Sequence, residues 1–184
     1  MTGSMVDRLV AASTSGLMLA QAPDYRDGHF SPADAAEAIG QVNARPDTTS
    51  YHLLLSLRRN APEAYEQIPP ETRAAVLTDA LRTQANLNDF GHLGPGGGYD
   101  GPAAQPLVEI GEPAIKPLKA LLSDDRPAPL MGSEEATLSH DHSYRRSDFA
   151  FRYLSRILGR DPGFAPTPAE RDPAIAALRA ELEG

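Results

Sequence analysis

The sequence contains no cysteine, which removes disulfides, thiolate zinc sites, iron–sulfur clusters and cysteine nucleophiles together. That absence leaves the compartment open, because a chain without thiols folds equally well in oxidising or reducing surroundings. Tryptophan is also missing and aromatic residues make up only 6% of the 184 residues. The core must therefore come from leucine, alanine, isoleucine and valine, the set that helices packed on helices use. No apolar run approaches the ~20 residues that a membrane span needs. Positive charge is scarce too: 17 Lys and Arg stand against 25 Asp and Glu, a formal net charge of −8. Phosphate neutralisation needs the opposite balance, so no nucleic-acid partner is expected. No stretch alternates apolar and polar residues with period two, and a lone strand without a partner is not stable.

What the sequence does have is helical periodicity with well-marked starts and stops. At 184 residues it suits one domain. Val6, Leu9, Val10, Ser13 and Leu17 line one side of a first helix. Leu9–Ala12 and Gly16–Ala22 also resemble a thin signal-peptide core ending in an A-x-A site, but Ser13-Thr14-Ser15 interrupt it. A cytoplasmic protein is expected, or a secreted or periplasmic one if that segment acts as a weak signal. Pro23 to Phe30 breaks the first helix. Ser31 followed by Pro32 opens a second, as N-cap and first helical residue. A third, Tyr51 to Arg59, is apolar on nearly every side and is expected to be buried, with His52 as a partly buried core histidine. A fourth runs from Pro70 to about Thr83. The glycine-rich stretch 86–101 then separates residues 1–85 from residues 102–184.

The clearest pattern is a pair of short amphipathic helices in residues 102–122. The first carries Ala104, Leu107, Val108 and Ile110 and ends at Gly111. The second starts at Glu112-Pro113 and carries Ile115, Leu118, Leu121 and Leu122, with Asp124-Asp125 as the stop. Two such helices cannot bury their faces alone and must stack on neighbours. Residues 107–125, with an aliphatic-Gly turn, a following proline, an aliphatic-x-x-Leu spacing and an acidic stop, resemble a HEAT repeat. The resemblance covers about one repeat, and the flanks do not keep the roughly 40-residue period of such arrays. From Arg126 onward the chain resembles uncharacterised bacterial HEAT-like proteins, so no activity is carried over. The resemblance implies a binding surface or scaffold, since only a minority of HEAT proteins are enzymes. Near the C-terminus, Phe149 to Leu158 form an aromatic-rich helix. Thr167-Pro168-Ala169-Glu170 has the form of a capping box for a last one.

Chemistry-bearing residues concentrate in the two segments flanking the hairpin. The first, 86–101, carries Asp89, His92, Tyr99 and Asp100. Its Gly94–Gly98 run lacks the preceding strand and following Lys-Ser/Thr of a phosphate cradle, so it reads as a connector. The second, 126–148, reads as a long loop where a HEAT hairpin would hand over in a few residues, and long ordered loops are often functional. It gathers Glu134, Glu135, His140, His142, Tyr144, Arg145 and Arg146. Its structural readings are plain: Asp148 complements the next helix's dipole, and Arg145 and Arg146 pair with Glu134 and Glu135. Three functional readings stand beside these. One is a metal held by His140-x-His142 with Asp141 or His92, although no third ligand has a reliable spacing, so no metal or other cofactor is expected. Another is acid–base chemistry by Glu135, His140, Tyr144 and Arg145 on a small molecule. The third is a partner surface anchored by Tyr144 and the arginine pair.

The expected architecture is all-α, an irregular bundle or short α-solenoid of about seven helices with a HEAT-like hairpin. The expected function is binding of a protein or small-molecule ligand along a polar edge formed by 86–101 and 126–148. A small cofactor-independent enzyme at the same edge is the alternative.

Overall fold

The computed structural model describes residues 3–93, 101–163 and 165–184. Among them are eleven α-helices, three short 3-10 turns and no strand, an all-α helical bundle as the sequence predicts. None of these helices is long and apolar enough to cross a membrane. The chain divides into two compact units, Met1–Gln84 and Ala85–Gly184.

The first unit holds α1 (Met5–Ser15), α2 (Pro23–Asp27), α3 (Pro32–Ala44), α4 (Tyr51–Asn60), α5 (Pro62–Tyr65) and α6 (Pro70–Thr83). Pro23 to Phe30 is more than a break: Pro23 in the first turn, where its missing N–H costs nothing, starts the five-residue α2. The expected cap at Ser31 is present, with Ser31 Oγ accepting from the Asp34 N–H while Asp34 returns the bond to the Ser31 N–H. Helix α4 is the centre of the unit. Every residue from Tyr51 to Leu57 is buried, because α1, α2, α3, α5 and α6 all pack on it. Each leucine so enclosed contributes roughly 1.5–3 kcal/mol relative to exposure.

His52 lies inside that packing with no exposed surface. Its backbone N–H donates to Ser13 Oγ at 2.9 Å, and its ring Nδ1 lies 3.2 Å from the same oxygen. Ser13 Oγ in turn donates to the Leu9 carbonyl, and the Gln84 amide donates to the Ser13 carbonyl and to Thr48 Oγ1. Burial pushes the His52 pKa down to about 4, with the Leu17 and Met18 carbonyls opposing the shift.

The second unit holds α7 (Ala104–Ile110), α8 (Glu112–Leu121), α9 (Ser133–Asp141), α10 (Arg146–Ile157) and α11 (Pro168–Glu181). Helices α7 and α8 form the hairpin expected at 102–122. They turn at Gly111 with φ +72° and ψ −130°, a conformation that side-chain-bearing residues avoid. Both pack on α10, so Leu107, Leu118 and Leu121 are buried together with Phe149, Tyr153 and Leu154. The Tyr153 hydroxyl donates to the Phe90 carbonyl. Helix α11 begins with the predicted Thr167–Glu170 capping box. It is tied down by Lys119 Nζ, which donates to the Leu182 carbonyl at 2.6 Å, and by the Arg160–Glu181 pair.

Candidate functional site

The segment 126–148 is not one long loop. It has an extended leg, a helix and a return. On the leg, the Ala128 N–H donates to the Tyr144 carbonyl (2.8 Å) and the Arg146 N–H to the Arg126 carbonyl (3.1 Å), with Pro127 and Arg145 bridged antiparallel. Pro127 and Pro129 fit there because the leg needs only alternate N–H groups. Gly132 then turns the chain at φ +106° into α9. None of α9's described residues is buried, so it carries no apolar stripe for periodicity to detect. Polar contacts hold it instead: Ser139 Oγ donates to the Ala128 carbonyl at 3.0 Å, and the Tyr144 N–H donates to the Ser139 carbonyl.

The described part of 86–93 meets this leg. The Leu87 N–H donates to the Pro129 carbonyl at 2.9 Å. Asn88 then pairs through its side chain with both backbone groups of Met131, donating at 2.6 Å and accepting at 2.7 Å. Asp89 is half-buried and its carbonyl accepts from the Ala103 N–H, while His92 is half-buried beside Leu93. Tyr99, Asp100 and the Gly94–Gly98 run lie outside the described residues.

The remaining predicted residues separate into exposed and buried sets. Glu134, Glu135 and His140 are exposed on α9, with Glu135 folded back over Gly132. His142 is half-buried; its Nδ1 lies 3.2 Å from the Pro166 carbonyl and its ring stacks on Tyr144. Tyr144 is 2% exposed, with Phe149 edge-on against it, so it serves the core rather than presenting an anchor. Among the described residues, no three His, Asp or Glu side chains are grouped to hold a metal.

Arg145 finds different partners from those the sequence suggests. Arg145 pairs with Asp148 (3.0 Å), Asp172 (2.7 Å) and Asp125 (3.4 Å), because Glu134 and Glu135 project from a solvent-facing helix. Burial works against its charge, but the hydrogen bonds and charges of Asp148 and Asp172 outweigh it and hold the guanidinium pKa above its ordinary value. Arg146 is buried; burial and repulsion from Arg126 lower its pKa, and Asp124 opposes them. Asp148 does complement the α10 N-terminus, accepting from the Arg145 N–H at 2.8 Å. It also accepts from Arg171 Nε at 2.9 Å while almost fully buried. Arg171 continues outward to the carbonyls of His142, Ser143, Ala165 and Pro166. This buried knot joins α10, α11 and the return from α9. Arg171 and Asp172 sit more than 20 residues away in an unremarkable helix, so no local pattern announces them.

Between the leg, α9 and the start of α11 lies an open groove of about 490 Å³. Pro127, Leu130, Ala136 and Pro168 supply apolar walls, and Ser139 and His140 supply polar atoms from α9. Asp125 and Arg145 also line it, so three of the four predicted catalytic candidates (His140, Tyr144 and Arg145) reach it, but Glu135 does not. The volume suits a small ligand or a few residues of a peptide. No protein-family model, curated protein or solved structure matches the chain.

Proposed function

We propose that this chain is a binding scaffold. A HEAT-like hairpin, α7–α8 with α10, supports a recognition groove formed by the leg 127–130, α9 and Pro168. The observation that carries the proposal is the groove itself. It combines apolar walls with polar atoms from Asp125, Ser139 and His140, the composition by which ligand sites gain both affinity and orientation. The clamp between Asn88 and Met131 and the knot at Asp148 support this reading, since both stiffen the leg and the return on which the groove is built. Rigid walls lower the ordering cost of binding.

The acid–base alternative has less support at the same place. Arg145 is committed to three carboxylates, which removes the free anion clamp that such chemistry needs. Tyr144 is enclosed by His142 and Phe149.

The test is a ligand-observed and protein-observed NMR screen of a small-molecule and short-peptide set against the full chain and against Ala136→Trp. Ala136 is exposed and lines the groove, so tryptophan there fills the space without entering the core. Binders are expected to shift the signals of Ala128, Leu130 and Ser139 and to lose that effect in Ala136→Trp, with the melting curve unchanged. Shifts that persist in the variant, or a set in which nothing perturbs those signals, would overturn the proposal.

A further inference from the structure

Helix α9 is held differently from the walls it faces. None of its described residues is buried. Among the described residues no other helix packs broadly against it, whereas α10 takes α7, α8 and α11. Its two ends are nonetheless fastened. Before it, Met131 is clamped through both backbone groups by the Asn88 side chain. After it, Arg171 Nη2 donates to the carbonyls of His142 (2.8 Å) and Ser143 (3.2 Å), which ties the return to the Asp148 knot. A helix with fastened ends and no buried face belongs to the low-stability part of a structure, where local opening costs little.

Both junctions have backbone geometry suited to a pivot. Gly132 sits at φ +106°, where a side chain is strained, and an added Cβ would meet the Glu135 carboxylate. Among the described residues, Ser143 is the one non-glycine residue in the left-handed region, at φ +48°. That conformation stores strain, which a movement of the junction releases. Between the junctions, Ser139 Oγ latches α9 to the leg by donating to the Ala128 carbonyl at 3.0 Å. Ala136, Ser139 and His140 share one side of α9 at i, i+3 and i+4, and all three line the groove. The position of α9 therefore sets the width of the groove.

Resting on the groove reading above, we infer that α9 is a movable lid. It swings as a helix about the line joining Gly132 and Ser143, widens the groove when the Ser139–Ala128 bond breaks, and closes on an occupant when that bond forms again. Strain released at Ser143 offsets part of the lost hydrogen bond, which keeps the two positions close in free energy. The leg and the return stay in place throughout, because their fastenings at Asn88 and Arg171 take no part in the swing. The groove thus has one fixed wall that needs no ordering on binding and one wall that moves.

The absence of cysteine lets spin labels be placed at chosen sites alone, so pulsed electron–electron double resonance on the full chain tests the inference. One labelled pair joins α9 to α8, Glu134→Cys with Lys116→Cys. The control pair joins α11 to α8, Ala176→Cys with Lys116→Cys, and all three positions are exposed. The α9 pair is expected to give two distances, or a distribution clearly broader than that of the control. Ser139→Ala should raise the open share by about threefold to tenfold, the range that one hydrogen bond sets. A binder from the NMR screen should lower it. Amides from Ala136 to His142 should keep helical protection from hydrogen exchange, because the lid moves without unfolding. Distributions of equal width for the two pairs, or an α9 distribution that Ser139→Ala leaves unchanged, would overturn the lid. So would α9 amides exchanging as fast as an unfolded peptide, or a binder that leaves the α9 distribution as it was. A screen without binders would overturn the groove reading alone, and the two label pairs would still decide the motion.

Discussion

The side chain of Asn88 pairs with the main chain of Met131 as a neighbouring strand would, donating to its carbonyl and accepting from its N–H. A carboxamide presents an N–H donor and a carbonyl acceptor side by side, and here one of each ends the extended leg without a second strand. Asn88→Asp keeps the acceptor but sets a carboxylate against the Met131 carbonyl. Asn88→Ala loses both bonds. Each variant should cost about 1–2 kcal/mol, in the range of two part-exposed hydrogen bonds. Amide hydrogen exchange at Met131 should accelerate well before exchange in α10 changes.

Asp148→Ala should be the most damaging single polar substitution in the second unit. It strips the buried carboxylate from Arg171, leaving that enclosed charge with backbone carbonyls alone, and removes the best-enclosed partner of Arg145. Breaking a buried pair in this way costs on the order of 3–5 kcal/mol. Urea denaturation should show the loss. Combining the change with Arg171→Met should recover part of it, since the second substitution removes the stranded charge.

His52 makes stability depend on pH in one direction. Its folded pKa, about 4, lies below the ordinary value of 6.5, so the unfolded chain binds a proton more readily than the folded one. The histidine's contribution is complete above about pH 6.5 and is lost as pH falls toward about 4, where up to roughly 3 kcal/mol has gone. Urea midpoints at pH 7, 6, 5 and 4 should decline through that window. In His52→Gln the decline should be shallower, even if the variant is less stable at pH 7. An equal slope in both proteins would show that the acid sensitivity arises elsewhere.

Two glycines should respond oppositely to alanine. Gly111 has φ +72° and a Cβ added there meets only the Glu109 carbonyl at 4.0 Å, so Gly111→Ala meets backbone strain rather than a clash. A cost of about 1–3 kcal/mol is expected. Gly40 lies inside α3 with nothing within 4 Å of an added Cβ, so Gly40→Ala should gain about 0.5–1 kcal/mol. Thermal melts of the two variants test the pair together.

Much of the fold is legible where local chemistry and packing agree. Ser31 with Asp34, and Thr167 with Glu170, read as caps and are caps. The leucines of α4 read as buried because no polar face interrupts them, and they are buried. The turn at Gly111 follows from its position between two amphipathic runs. Helix α9 does not follow, since a helix with no buried face has no period to reveal it. Its flanking Pro127, Pro129 and Gly132 have the composition of a loop. The partners of Arg145 were hidden for another reason. Nearby Glu134 and Glu135 have suitable charge, but Asp172 becomes adjacent only when α11 folds back. Tyr144 illustrates the converse, an aromatic in a polar stretch that looks like a contact residue until Phe149 encloses it.

The absence of buried side chains from the described residues of α9 also bears on how such a protein can change over time. One wall of the groove is a helix that the core does not depend on, hung between Gly132 and Ser143. Substitutions there alter what the groove presents and leave the hairpin, α10 and the Asp148 knot untouched. Residues 134–138, 140 and 141 can therefore vary while the rest of the unit stays as it is, and a library randomised over those positions with Ser139 kept should yield mostly folded proteins.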